Sequence, residues 1–377
     1  MARKQIQLTQ VDKVWSCTID GKELVVGSGK LGGKLKDRRV APKTAAGKQD
    51  PEWELMSLAW KEFRKGYRYD APGKAGPRWL VRTPGGMDVG PGEAALTPDG
   101  ALVFGQHSDG NGSRIYRLDL DSGESSLVHT DPGYVLRGVR ALDDGSILFA
   151  PEAPGAWNTA VLGVDGVVKT LLECRLVMFG CLMDGTSDGQ KIAGVDGSDV
   201  VVLEGPKRKE IFRKAIPECA NSQGRQLCLS PDGATLVLAF PRVDVGAELT
   251  FVDLEQGTEK TYQLTPDSIF DSMVWVGGGV ALLERFQKPK IWTAAGMQRE
   301  IDCDWAGSLA GSPNGRYVGA YQSGRVALFE VKTGKRAFED HEPLHHKGGA
   351  LVIGANGLLI TTGGGLVGRW ESALPTG

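Results

Sequence analysis

From residue 78 onward the chain reads as short apolar runs broken by polar turns. One apolar run enters a turn, as in residues 225–230 (RQLCLS), and a second leaves it, as in residues 234–240 (ATLVLAF). Between them Asp-Gly or Asn-Gly supplies the positive φ that a tight hairpin requires. The turn recurs as Thr97-Pro98-Asp99-Gly100, Asp143-Asp144-Gly145, Ser187-Asp188-Gly189, Ser230-Pro231-Asp232-Gly233, Gly277-Gly278-Gly279, Ser312-Pro313-Asn314-Gly315 and Ala355-Asn356-Gly357. Counted from Asp99, the steps are 45, 44, 44, 46, 36 and 42 residues, close to the period of about 40–45 that marks a propeller blade. A third apolar strand follows each copy, for example residues 199–204 (DVVVLE) and 325–331 (RVALFEV), and a shorter fourth ends the unit, for example residues 210–216 (EIFRKAI). Four antiparallel strands per repeat predict one blade each.

The seventh copy runs out after its third strand, at Trp370. Residues 78–83 (RWLVRT) have the pattern of the missing fourth strand and lie before the first copy. Pairing them with the last unit closes the ring and removes two exposed sheet edges. A sandwich has no reason to repeat in this way, and a solenoid would not need residues 78–83 to complete its last unit. The expected fold is therefore mainly β: a seven-bladed β-propeller of four-stranded antiparallel blades over residues 76–377, preceded by a small α+β domain over residues 1–75.

Residues 1–75 follow a different pattern. Residues 13–26 (KVWSCTIDGKELVV) alternate around Asp20-Gly21 and predict a hairpin. Residues 53–65 place Leu55, Leu58, Trp60 and Phe63 at mostly helical spacing, and Gly66 stops the helix. This part holds 16 Lys/Arg and 9 Asp/Glu, a net +7, whereas the remainder holds 28 and 37, a net −9. Opposite signs suggest different partners for the two parts.

Two resemblances follow from these motifs. The turn SPDG resembles bacterial WD40-like propellers, without the GH…WD signature of the eukaryotic repeats. Residues 11–70 resemble a WGR domain, through the Gly29-Lys30-Leu31-Gly32 core and the Lys65-Gly66-Tyr67 helix end. Ser28 stands where that family has tryptophan, and Lys30 where it has arginine. In DNA-binding members the tryptophan packs near a nucleic-acid end, which serine cannot do. Charge-based phosphate binding remains an expectation, because Lys30, Lys34, Lys36, Arg38, Arg39 and Lys43 lie close together. A solvated basic face, or a contact with an acidic partner, is the competing reading.

Chemistry-bearing motifs are few. The six cysteines include no CxxC pair, which fits buried thiols in a reducing cytoplasm. No secretory signal or membrane span is visible in the sequence. His341, His345 and His346 flank Glu342 but read as an exposed loop, so no metal and no cofactor are expected. The channel-facing strands read as mostly small and apolar, with no GxSxG, so no catalytic residue is expected. These readings favour a non-enzymatic protein-binding scaffold. By analogy of architecture alone, it would be an accessory part of a bacterial conflict-type system beside an AAA ATPase or a von Willebrand A-type protein. The alternatives are a nucleic-acid sensor acting through the WGR-like domain, and a propeller hydrolase or lactonase with a metal in the channel.

Overall fold

The computed structural model describes residues 5–42, 44–45, 48–49, 51–69, 78–82, 91–106, 112–132, 136–153, 156–175, 182–217, 224–242, 246–265, 268–322, 325–341, 349–355, 357–363 and 366–370. Lys43, His107, His345, His346 and the linker residues 71–77 lie outside them.

The N-terminal part is a twisted antiparallel sheet with one helix. Its strands are β1 (Gln5–Gln10), β2 (Lys13–Asp20), β3 (Glu23–Lys30) and β4 (Lys36–Val40), in the order β4-β3-β2-β1, with the short strand Arg68–Tyr69 on the far edge. Helix α1 (Pro51–Arg64) starts at a proline, whose missing N–H costs nothing in the first turn. It ends at Gly66, where φ is +90°, and the Tyr67 N–H returns to the Glu62 carbonyl. Leu55 and Ala59 of the helix pack on Leu8, Trp15, Cys17, Leu24 and Val26. That small core is what a 14-residue helix needs to be stable.

The rest of the described chain forms antiparallel sheets in succession. The first joins strands Pro91–Leu96, Leu102–Gln106, Ser113–Leu118 and Ser125–Asp131, and the second starts at Leu136–Ala141. The third to sixth start at Asp184–Gly185, Gln226–Leu229, Phe270–Val276 and Ser308–Gly311. In the last, Leu351–Ile353, Leu359–Gly363 and Leu366–Trp370 are joined by Arg78–Arg82 from the start of this region. Arg78 sits opposite Trp370 and Arg82 opposite Leu366. The first strand of each sheet lies against the first strand of the next, and that of the last lies against that of the first. The sheets therefore stand around a closed ring with their first strands innermost.

Each junction between neighbouring sheets has its own apolar cluster. Val195 and Val200 meet Leu227 and Leu236 at one junction, and Phe104 meets Ile360 and Val367 where the last sheet meets the first. Stability is thus shared among interfaces rather than held in one core. Along the inner ring backbones approach so closely that a Cβ at Gly311 would sit 2.2 Å from the Trp275 carbonyl oxygen, which only glycine tolerates.

The repeated turn owes its shape to side chains as well as glycine. Thr97, Thr186 and Ser230 each donate a hydroxyl to the aspartate two residues on, and Ser230 also accepts from the Thr235 N–H. Hydrogen bonds from Thr97, Ser146, Thr186 and Ser230 hold Asp99, Asp144, Asp188 and Asp232 below the usual carboxylate range. A depressed folded value means that this stability is present above the unfolded-chain value of about 3.9 and fades as pH falls through the folded values. Replacing Asp188 and Asp232 together by Asn is therefore expected to flatten the fall of the urea midpoint as pH drops below the unfolded-chain value of about 3.9. An unchanged profile would show that these carboxylates contribute nothing.

Candidate functional site

Because the first strands are innermost, consecutive residues along them line the ring's central cavity, as Phe270 to Trp275 do. Arg140, Asp184 and Cys228 each stand five positions before a turn glycine (Gly145, Gly189 and Gly233), so they hold the same place on three consecutive inner strands. Glu93 comes from the first sheet, and all four line a cavity of about 1340 Å³. Met183, Met273, Trp275 and Leu309 supply apolar wall. A concave apolar wall with a few convergent polar groups is the usual form of a small-molecule site.

Asp184 organises the charges. It is 8% exposed. Its Oδ1 accepts from Arg140 Nε at 3.2 Å and from the Gly185 N–H at 2.9 Å, and its Oδ2 accepts from the Leu229 N–H at 2.9 Å. One carboxylate thus ties three neighbouring sheets together. Arg140 also donates to the Val139 carbonyl at 3.2 Å. Burial works against its charge, but Asp184 and then Glu93 outweigh that and push its pKa up. Its side chain keeps 41% exposure because it faces the cavity. The N–H groups not spent on Asp184 and Val139 are placed to meet a ligand there. Glu93 is half-buried and lies in the field of Arg140.

Cys228 is the third member of the row, and its environment disarms it. Burial, then the Asp184 charge, pushes the thiol pKa well up. A thiol kept protonated is a poor nucleophile. Toward one mouth of the cavity, Arg285 donates from Nε at 3.0 Å and Nη2 at 2.8 Å to Asp271 Oδ1, and Arg225 lines the wall.

These residues put charged groups on a channel wall whose strands read in the sequence as mostly small and apolar. Arg140 falls in a strand that reads as mostly apolar, Glu93 lies within the strand Pro91–Leu96, and Asp184 lies on a strand of two residues. The signal was positional: the fifth residue before the turn glycine in consecutive repeats. A channel metal does not fit this set. Both Asp184 oxygens are taken by N–H donors, Asp271 is taken by Arg285, and Arg140 adds a positive charge. Among the described residues no three His, Cys, Asp or Glu are grouped to hold a metal ion.

The N-terminal basic residues divide. Lys36 and Arg38 lie opposite Ser28 and Val26 on β3, on the helix-bearing side of the sheet, and are exposed. Arg39 points to the other side, where it donates to Glu23 and Asp20, each at 2.9 Å. Lys30 and Lys34 are exposed near the β3–β4 turn. Among the described residues no helix is long and apolar enough to cross a membrane.

No protein family and no curated protein matches the chain. Solved structures do. The chain is similar to a catalytically inactive His-to-Ala variant of virginiamycin B lyase from Staphylococcus aureus, solved with quinupristin, at 14% identity and a TM-score of 0.58, over 78% of this chain and 98% of that one. It is similar to streptogramin B lyase at 15% identity and a TM-score of 0.59, over 78% and 97% of the two chains. At this identity the likeness shows the propeller fold. The expectation of a protein that is not an enzyme is overturned by it: the ring seen here is one that carries lyase chemistry in solved proteins, and its channel holds a charged cluster.

Proposed function

We propose that this protein is an enzyme that breaks a C–O bond of a small cyclic ester at the central channel. The observation that carries the reading is the juxtaposition of Glu93 and Arg140 on the cavity wall, with Arg140 held by Asp184. In an elimination, the Glu93 carboxylate takes a proton from the carbon beside a carbonyl. The electrons of that C–H bond form a C=C bond, and the ring C–O bond breaks with its pair going to the departing oxygen. Arg140 faces the negative charge that develops there, which is where a preformed cation lowers a barrier most. A histidine matters in the S. aureus lyase, as its inactive variant implies. Among the described residues that line the cavity none is a histidine, and Glu93 is the carboxylate in the field of Arg140, so the base is assigned to Glu93.

The test is incubation with a panel of cyclic esters, quinupristin among them, read by mass spectrometry. Ring opening at unchanged mass marks elimination, and gain of one water marks hydrolysis. Glu93→Gln is expected to lower kcat by about 100-fold or more, as loss of a general base does. If the wild type opens none of the esters, or Glu93→Gln is as fast as wild type, the reading fails.

The sheets around the channel are read as seven blades, with residues 76–377 as the propeller and residues 1–75 as a separate WGR-like unit. For that unit we propose weak, salt-sensitive polyanion binding, supported by the exposed Lys30, Lys34, Lys36 and Arg38. Changing Lys34, Lys36 and Arg38 to Glu is expected to abolish retention of a short DNA duplex at low salt without changing the melting temperature. Retention that survives the triple change would place the contact elsewhere. Arg39 is left out of the variant because it is committed to Asp20 and Glu23.

A further inference from the structure

The turn that follows the second strand of the fifth sheet (Gly279–Glu284) holds a residue in the wrong place for its chemistry. In Glu284-Arg285-Phe286-Gln287 the Gln287 N–H closes on the Glu284 carbonyl at 3.0 Å. Phe286 has φ +63°. Glycine or asparagine normally fills such a position, because a Cβ there crowds the backbone. Phe286 is also 99% exposed. A large aromatic side chain gains nothing for folding when it stands in water, so neither local conformation nor burial accounts for it.

The turn is nonetheless braced on every side. Glu284 is buried, and its carboxylate accepts from the Ser268 hydroxyl at 2.6 Å and from Lys290 Nζ at 2.8 Å. Lys290 also donates to the Gln287 side chain at 2.8 Å. The Arg285 N–H is bonded to the Ile269 carbonyl at 2.8 Å, and the Arg285 guanidinium holds Asp271 on the cavity wall. A disfavoured backbone fixed by a surrounding network is a mark of a functional position. Here the network fixes an aromatic ring directly after a cavity-lining arginine.

We infer that Phe286, which follows the cavity-lining Arg285 and stands outside the cavity wall itself, sets specificity from beside the channel: it stacks on a planar or apolar ring of the substrate while the polar end reaches Glu93 and Arg140. The inference rests on the channel being the substrate site. It predicts a role in capture, without a part in bond breaking, because Phe286 carries no acid, base or charge. Stacking of two rings accounts for a change of about tenfold.

The test uses the full chain with Phe286→Ala, Phe286→Tyr and Phe286→Gly. Phe286→Ala is expected to raise KM for an aromatic-bearing cyclic ester about tenfold with kcat unchanged, and Phe286→Tyr to restore it. Phe286→Gly is expected to share the KM defect yet melt above wild type, since it relieves the φ of Phe286. A Phe286→Gly variant that melts below wild type would remove the strain argument and overturn the inference. A parallel fluorescence titration with anilinonaphthalene sulfonate, an aromatic ring bearing one negative charge, separates the two readings. Weaker dye binding by Phe286→Ala, in a protein that opens no ester, would sustain Phe286 as a recognition residue while ending the lyase reading. Unchanged KM and unchanged dye affinity in Phe286→Ala would overturn the inference even if Glu93→Gln abolishes turnover.

Discussion

Deleting residues 1–84 is expected to leave the ring open and the protein largely insoluble, while deleting residues 1–74 leaves it folded. Strand Arg78–Arg82 supplies five residue pairs to Leu366–Trp370. At roughly 1 kcal/mol net for each hydrogen bond, their loss removes about 5 kcal/mol, a large part of what a domain has to spare. The damage extends beyond the ladder. Val367 and Trp370 are both buried. Val367 also helps to pack the last sheet on the first. An unpaired Leu366–Trp370 is then an edge open to other chains. Soluble yield and thermal melting of the two truncations provide the measurement, and equal melting would show that this strand does not carry the closure.

The second large effect is expected at Asp184. Asp184→Ala strands the Leu229 N–H, the Gly185 N–H and the Arg140 guanidinium at once. Breaking a buried pair by removing one partner costs about 3–5 kcal/mol, and the lower end applies because Arg140 faces the cavity. Asp184→Asn keeps one oxygen acceptor and is expected to lose roughly half as much. Pairing Asp184→Leu with Arg140→Met is expected to recover only the share of the loss that comes from the stranded guanidinium, because the Leu229 and Gly185 N–H groups still lack their acceptor, and to recover none of the activity. Urea midpoints and turnover of the wild type and these three variants decide it. A double variant as unstable as Asp184→Ala would mean that the pair's charges are not the issue.

How far the sequence disclosed the molecule depends on the range over which each signal acts. The turns were legible because Asp-Gly and Asn-Gly fix backbone geometry within four residues, and their repetition gave the strand grammar. The candidate site was not legible in the same way. Its residues come one from each repeat, so Arg140, Asp184 and Cys228 stand 44 positions apart and look unremarkable in their own strands. Only their common offset from the turn glycine aligns them. The basic run of β4 misled for a related reason. Strand alternation sends Arg39 to the opposite face from Arg38, and the hairpin brings Asp20 and Glu23 to it. Phe286 carried no signal in the sequence, since the positive φ is set by the bracing network around it.

The seam at the last sheet also sets how the molecule answers to force. Arg78 and Trp370 lie opposite each other at one end of an antiparallel pair. The chain from the N-terminal sheet enters at Arg78, and the chain toward the C-terminus leaves at Trp370. Tension between the two ends of the protein is therefore applied at the same end of the pair. It peels the ladder from Trp370–Arg78 toward Leu366–Arg82, loading one hydrogen-bonded step at a time instead of shearing them together. The ring is closed by a zipper, and its pull tab is the N-terminal sheet.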